Sequence, residues 1–151
     1  MSILLLEGPD GVGKTTLAKE LIARYGGFYH HCGVVPNIYQ LHLQLVQSLE
    51  GDDVLHIIDR LYVSEAVYGT LFRGGQSYDT NAFRQTFKHQ TVYCSIPKDK
   101  YLDHHLNNGE REMFKERVGE IYDLYQDWFA FYTPDYKYDY TKGEQLCLLG
   151  I

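Results

Sequence analysis

A chain of 151 residues, 44% of them hydrophobic, is long enough for one substantial core and too short for two ordinary domains. Its formal net charge of −6 repels polyanions, which argues against a protein that grips long nucleic acid and leaves room for a local basic pocket that takes small phosphates. Residues 1–6 lack the basic region and long apolar core of a signal peptide, no stretch suits a bilayer, and the three cysteines form no CxxC pair, so we expect a cytoplasmic protein with no membrane partner and reduced, mostly buried thiols.

Ile3 to Glu7 is a continuous apolar run ending at Gly8, the pattern of a strand buried on both faces, and after Gly13 the residues Leu17, Leu21 and Ile22 recur at helical spacing. Gly27 to His31 is a short aromatic run that stops at Gly33 and Pro36 and reads as a second strand. From Asn37, an N-cap candidate, Ile38, Leu41, Leu45, Val46 and Leu49 mark one face of a helix that ends near Gly51. Val54 to Ile58 is the third strand candidate, and it ends in the polar pair Asp59-Arg60 where a helical pattern begins. Thr91 to Ile96 is the fourth, stopped by Pro97, and Lys98 to Leu106 follows as a helix that breaks at Asn107-Asn108-Gly109. Phe114, Val118, Ile121, Tyr122, Tyr125, Trp128, Phe129 and Tyr132 then repeat every three or four residues as a core-facing helix stripe. A last strand over Tyr136 to Tyr140 leads into Thr141-Lys142-Gly143. Strands alternating with helices imply an α/β fold, a parallel sheet with helices on both faces and ligands at the carboxyl ends of its strands. No repeat or linker divides the chain, so 1–151 is expected to be a single domain.

Gly8-Pro9-Asp10-Gly11-Val12-Gly13-Lys14-Thr15 satisfies the pattern of a glycine, four residues and Gly-Lys-Ser/Thr, and it lies between a predicted strand and a predicted helix. Glycines allow a tight curl whose N–H groups point inward at phosphate oxygens, and the helix N-terminus adds partial positive charge. Lys14 is expected to reach the β- and γ-phosphates of ATP, and Thr15 to bind Mg²⁺ through its hydroxyl; Thr16 completes the ATP-binding segment. At the end of the third strand, a carboxylate at Asp59 can hold the water shell of Mg²⁺, while the adjacent Arg60 presents a planar fork to an acceptor phosphate. The alternative reading of that pair is a surface ion pair.

With its loop from Gly8 to Thr16, Asp59-Arg60-Leu61-Tyr62-Val63-Ser64 and the later Glu116-Arg117-Val118-Gly119-Glu120-Ile121-Tyr122, the chain resembles the thymidylate kinase family. The resemblance implies a five-stranded parallel P-loop kinase sheet and transfer of the ATP γ-phosphate to a deoxynucleoside monophosphate. It places Asp10 near the acceptor's 3′-hydroxyl, Tyr68 against its sugar, where bulk disfavours ribose, and a short lid around 98–112. Because Val12 stands where some members carry a loop arginine, Arg111 is the expected lid cation that stabilises the transferring phosphoryl group. Arg117 reads instead as a solvated residue paired with a nearby glutamate. Three features depart from the family: the stretch before Asp59 is short, His30-His31-Cys32-Gly33 replaces an arginine-containing turn, and Glu65 replaces a small or amide residue. His31 is accordingly a candidate to line the acceptor pocket and Arg73 to take over phosphate binding. Neither His30-His31 nor His104-His105 is a natural chelate, because adjacent residues diverge on a strand or a helix.

The leading expectation is thus an ATP- and Mg²⁺-dependent deoxynucleoside monophosphate kinase whose partners are ATP and a small nucleotide, with a homodimer left open. The alternative is a hydroxyl kinase acting on a nucleoside or a hydroxymethylated pyrimidine, free or in DNA, for which Glu65 would act as general base. A base-reading role for Glu65 fits the first reading. A nucleotide-dependent switch ranks last, since no guanine-reading Asn/Thr-Lys-x-Asp motif occurs in the second half.

Overall fold

The computed structural model describes residues 2–32, 37–107 and 112–150. Five strands form one parallel sheet: β1 Ile3–Glu7, β2 Phe28–His31, β3 His56–Asp59, β4 Gln90–Cys94 and β5 Tyr136–Tyr138, in the order β2-β3-β1-β4-β5. The helices are α1 Lys14–Tyr25, α2 Ile38–Leu49, α3 Tyr62–Phe72, α4 Thr80–Arg84, α5 Lys98–Asn107 and α6 Glu112–Phe131, and a 3-10 turn spans Tyr140–Lys142.

Period-two alternation along β1 explains why the core has two halves. Leu4 and Leu6 join Leu17, Ala18 and Leu21 of α1 on one side of the sheet, while Ile3 and Leu5 join Val46 of α2 and Val63 and Val67 of α3 on the other. The aromatic stripe of α6 serves both, with Val118 and Tyr122 in the first cluster and Ile121, Tyr125 and Phe129 in the second. The central strands therefore end, at their carboxyl edge, in a crevice flanked by α1 and α3.

Some boundaries differ from the sequence reading. β3 is offset from the expected Val54–Ile58, because register pairs Ile3 with His56 and Leu6 with Asp59, so Asp59 is the last strand residue and Val54 is left exposed. β4 and β5 end earlier than Ile96 and Tyr140, and Tyr140 opens the 3-10 turn. Asn37 precedes α2 in a left-handed conformation (φ 59°) and makes no side-chain cap. Helix α4, unforeseen, starts where the Asp79 carboxylate accepts from the Ala82 N–H at 3.0 Å. The thiols are less uniform than expected: Cys94 is buried, Cys32 half-buried and Cys147 exposed. Burial pushes the Cys94 thiol up to about 12. Among the described residues no helix is long and apolar enough to cross a membrane.

Candidate active site

The loop from Gly8 to Thr15 joins β1 to α1 and curls over the sheet's carboxyl edge. Two glycines are required there sterically. A Cβ on Gly8 (φ 154°) would stand 2.2 Å from the Cys94 carbonyl oxygen, and Gly13 (φ 83°) takes a left-handed turn directly before α1, with the Tyr140 ring 3.0 Å from where its Cβ would be. Val12 is fully buried in the core and anchors the loop from beneath. The loop is also held from above, where His105 Nε2 lies 2.7 Å from the Asp10 carbonyl oxygen and therefore donates to it.

Lys14 is buried, at 7% exposure, and its Nζ donates to the Gly8 carbonyl at 3.0 Å and the Pro9 carbonyl at 2.6 Å. Burial, with the Arg60 charge adding to it, lowers its pKa. Asp10, Gly11, Gly13, Lys14, Thr15 and Thr16 share a cavity of about 210 Å³ with His31, Asp59 and Arg60. Three separate segments thus meet around one polar space, although the sequence separates Thr15 from Asp59 widely.

Asp59 is 3% exposed. Its Oδ2 accepts from the Tyr29 hydroxyl at 2.6 Å and lies 3.9 Å from His31 Nδ1, while its Oδ1 is buried and has no hydrogen-bond partner among the described residues. An orphaned carboxylate oxygen on a residue that lines the same cavity as Thr15 suits a hard cation such as Mg²⁺ or its water shell, so Thr15 and Asp59 fit the group that a phosphate loop implies. Burial, then the bond to Asp59, pushes the Tyr29 hydroxyl up to about 12.

Arg60 occupies a left-handed conformation (φ 71°), which is strained for a side chain with a Cβ. It is held there by its N–H bond to the Leu6 carbonyl at 3.0 Å, an ion pair with Asp10, and the Tyr68 ring, whose centroid is 5.1 Å from the guanidinium carbon. The guanidinium consequently projects across the cavity toward the loop. Tyr68 in turn stacks on Phe72 and meets Tyr125 edge-on.

Behind this pair is a buried network without a motif of its own. Glu7, fully buried, accepts from the Leu61 N–H at 2.6 Å and the Ser64 hydroxyl at 2.5 Å, and Ser64 also meets the Tyr125 hydroxyl at 2.6 Å. Burial raises the Glu7 pKa against the pull of those bonds. The network ties the end of β1 to the start of α3 and so sets where Asp59 and Arg60 stand. A carboxylate inside an apolar strand was the available signal for it.

On the acceptor side, two of the expected contacts engage each other. Glu65 and Arg73, expected as separate contacts to the acceptor, bond to each other: Arg73 Nη2 donates to Glu65 Oε2 at 2.5 Å, and Glu65 Oε1 accepts from the Ser77 N–H at 2.9 Å and its hydroxyl at 2.7 Å. The Glu65 side chain is only 1% exposed. Its oxygens are committed to folding the 73–77 loop back onto α3, a physical consequence of burying a charge that must be paired. Arg117, read as a solvated residue paired with a nearby glutamate, bonds Glu120 at 3.1 Å on the exposed face of α6. Arg111 and the Asn108-Gly109 break lie outside the described residues.

Next to the phosphate cavity, past Gly11 and Gly13, a larger groove of about 880 Å³ runs between α1 and the segment after β5, lined by Thr16, Arg24, Tyr138, Tyr140, Glu144 and Gln145. Of its lining, the sequence reading assigns Gly11, Gly13 and Thr16 to the ATP-binding segment and none of the residues after β5.

A glycine-rich Gly-Lys-Thr loop between the central strand and first helix of a five-stranded parallel sheet is the fold of the P-loop kinases. Among solved structures, YorR from Bacillus subtilis, in complex with phosphorylated GDP, is similar with a TM-score of 0.74 and 20% identity, over 93% of this chain and 87% of that one. The deoxyadenosine kinase from M. mycoides with bound dATP is similar at TM-score 0.58 and 14% identity, over 91% and 90% of the two chains. Thymidylate kinase from Ehrlichia chaffeensis is similar at TM-score 0.50 and 15% identity, over 91% and 84%. At such identities the likeness is one of fold. No protein-family model matches the sequence, and no curated protein does.

Proposed function

We propose that the protein is an ATP- and Mg²⁺-dependent nucleoside monophosphate kinase that acts on deoxynucleotides. The observation that carries this reading is the fate of Glu65. A neutral hydroxyl acceptor benefits from a carboxylate that takes its proton, and Glu65, the residue suited to that work by position, is buried and already bonded to Arg73 and Ser77. A phosphate acceptor arrives already anionic and needs positioning and charge neutralisation instead.

The residues divide that work. Backbone N–H groups of the loop and the N-terminus of α1 receive the donor's phosphates, and the groove toward Tyr140 has room for the rest of the donor nucleotide. Lys14, now bonded to two loop carbonyls, exchanges them for phosphate oxygens, which form stronger charge-assisted bonds. Thr15 and Asp59 hold Mg²⁺, which when bound supplies charge neutralisation on the donor's phosphates. Arg60 grips the acceptor phosphate, with Asp10 aligning the guanidinium, and Tyr68 stands against the acceptor's sugar. His31 lines the cavity mouth, and Arg111 is the proposed lid cation.

The test is direct. The protein, ATP and Mg²⁺ are incubated with deoxynucleoside monophosphates, nucleosides and DNA containing hydroxymethylated pyrimidine, and products are separated. Diphosphate formed from a monophosphate is the expected result; transfer only to a nucleoside or to DNA would establish a hydroxyl kinase.

A further inference from the structure

Strand β2 carries no part of the phosphate motif, yet among the described residues it supplies the one hydrogen bond to the Asp59 side chain. The parallel register pairs Tyr29 with Ile57 and His31 with Asp59, so Tyr29 and His31, two residues apart, lie on the same face of the sheet as Asp59. From that position the Tyr29 hydroxyl donates to Asp59 Oδ2 at 2.6 Å, and His31 Nδ1 lies 3.9 Å from the same oxygen. Asp59 Oδ1 is buried and without a partner among the described residues, and Asp59 lines the cavity that also contains Thr15 and Lys14.

We propose that Tyr29 is a positioning residue of the cation site: its phenol fixes one carboxylate oxygen of Asp59 so that the other faces the Mg²⁺ shell beside Thr15. The inference rests on the kinase reading of the site. A carboxylate on a short side chain at a strand end has rotameric freedom, and Arg60, next in the chain, is an attractive wrong partner for it. A donor on the neighbouring strand removes both problems, because the strand pairing fixes its distance and because a hydroxyl satisfies Oδ2 without neutralising the carboxylate's charge. Outer groups of this kind typically contribute about ten- to a hundred-fold in metal affinity or activity. Tyr29 is 39% exposed, so its ring adds little to the core and the hydroxyl is the part whose removal is informative.

The experiment compares wild type, Tyr29→Phe and Asp59→Asn by Mn²⁺ titration followed by electron paramagnetic resonance, with a non-hydrolysable ATP analogue bound. Urea unfolding of each protein serves as the fold control. Tyr29→Phe should weaken Mn²⁺ binding about tenfold, with analogue affinity in the absence of metal and the urea midpoint unchanged. In steady-state assays the Mg²⁺ concentration needed for half-maximal rate should rise by a similar factor, while the acceptor KM stays constant. Unchanged Mn²⁺ affinity in Tyr29→Phe, with a loss in Asp59→Asn, would overturn the role of Tyr29 alone. Unchanged affinity in both would overturn the cation site itself and with it the proposal.

Discussion

Lys14 shows how burial changes the meaning of a motif residue. The sequence reading gives it the phosphates of ATP to reach, and the structure buries its ammonium against the Gly8 and Pro9 carbonyls. Lys14→Ala should therefore abolish phosphotransfer to every acceptor and also cost about 1–3 kcal/mol of stability, measured by urea unfolding, because two buried carbonyls lose their donor. Arg60 presents the complementary case. Its left-handed backbone, the Asp10 carboxylate and the Tyr68 ring orient a planar cation. Arg60→Lys keeps the charge and loses the fork, so it should raise the acceptor KM and lower kcat while the ATP KM stays within about twofold. A change confined to the ATP KM would move Arg60 to the donor side.

Among the elements, α3 is tied to the loop after it through one side chain, Glu65. Glu65 holds Arg73 and Ser77, while Gly75 N–H bonds the Gly69 carbonyl at 2.9 Å and leaves no room for a Cβ on Gly69, which would approach the Gly75 oxygen at 2.8 Å. Glu65→Gln preserves shape and removes the charge that faces Arg73. Breaking one side of a largely buried ion pair costs about 3–5 kcal/mol, and because Arg73 is more than a third exposed the loss expected here is nearer 1–2 kcal/mol. Calorimetry should register that loss, and protease cleavage should increase within 73–77. Acceptor KM should rise through the displaced loop while turnover on the best monophosphate remains measurable. Loss of all turnover with retained acceptor binding would reinstate Glu65 as a general base.

The molecule as a whole carries an acid-sensitive stability. His42 on α2 is 1% exposed, with Nδ1 2.6 Å from the Tyr78 hydroxyl, and burial lowers its pKa from 6.5 to about 4, with the Glu65 charge opposing. Burial lowers His30 and His89 in the same direction. The unfolded chain therefore accepts protons near pH 6.5 that the folded chain refuses, so this contribution is complete above pH 6.5 and is lost as pH falls toward 4. Glu7 acts in the opposite sense. Its raised pKa lets the folded chain take up a proton first, so acidification relieves the cost of its buried charge. The difference between proteins isolates His42: between about pH 7 and about pH 5, wild type should lose more unfolding free energy than His42→Gln, measured by urea titration at each pH. Equal losses would remove His42 from the account.

The sequence by itself determined the alternation of strands and helices, the parallel sheet and the phosphate loop, because each is written in local spacing: apolar runs, helical periodicity, and glycines ahead of Lys14 and Thr15. It also singled out Asp59 and Arg60, since a polar pair ending an apolar strand is a local irregularity. Tertiary structure alone decided which side chains face them. Tyr29 reaches Asp59 through the register of neighbouring strands, Glu7 reaches Ser64 across 57 positions of the chain, and Glu65, singled out in the sequence for the acceptor side, ties down the loop at Ser77. A carboxylate in one-dimensional sequence has only its neighbours to identify it. Once buried it must find a donor, and the fold determines which donor is near.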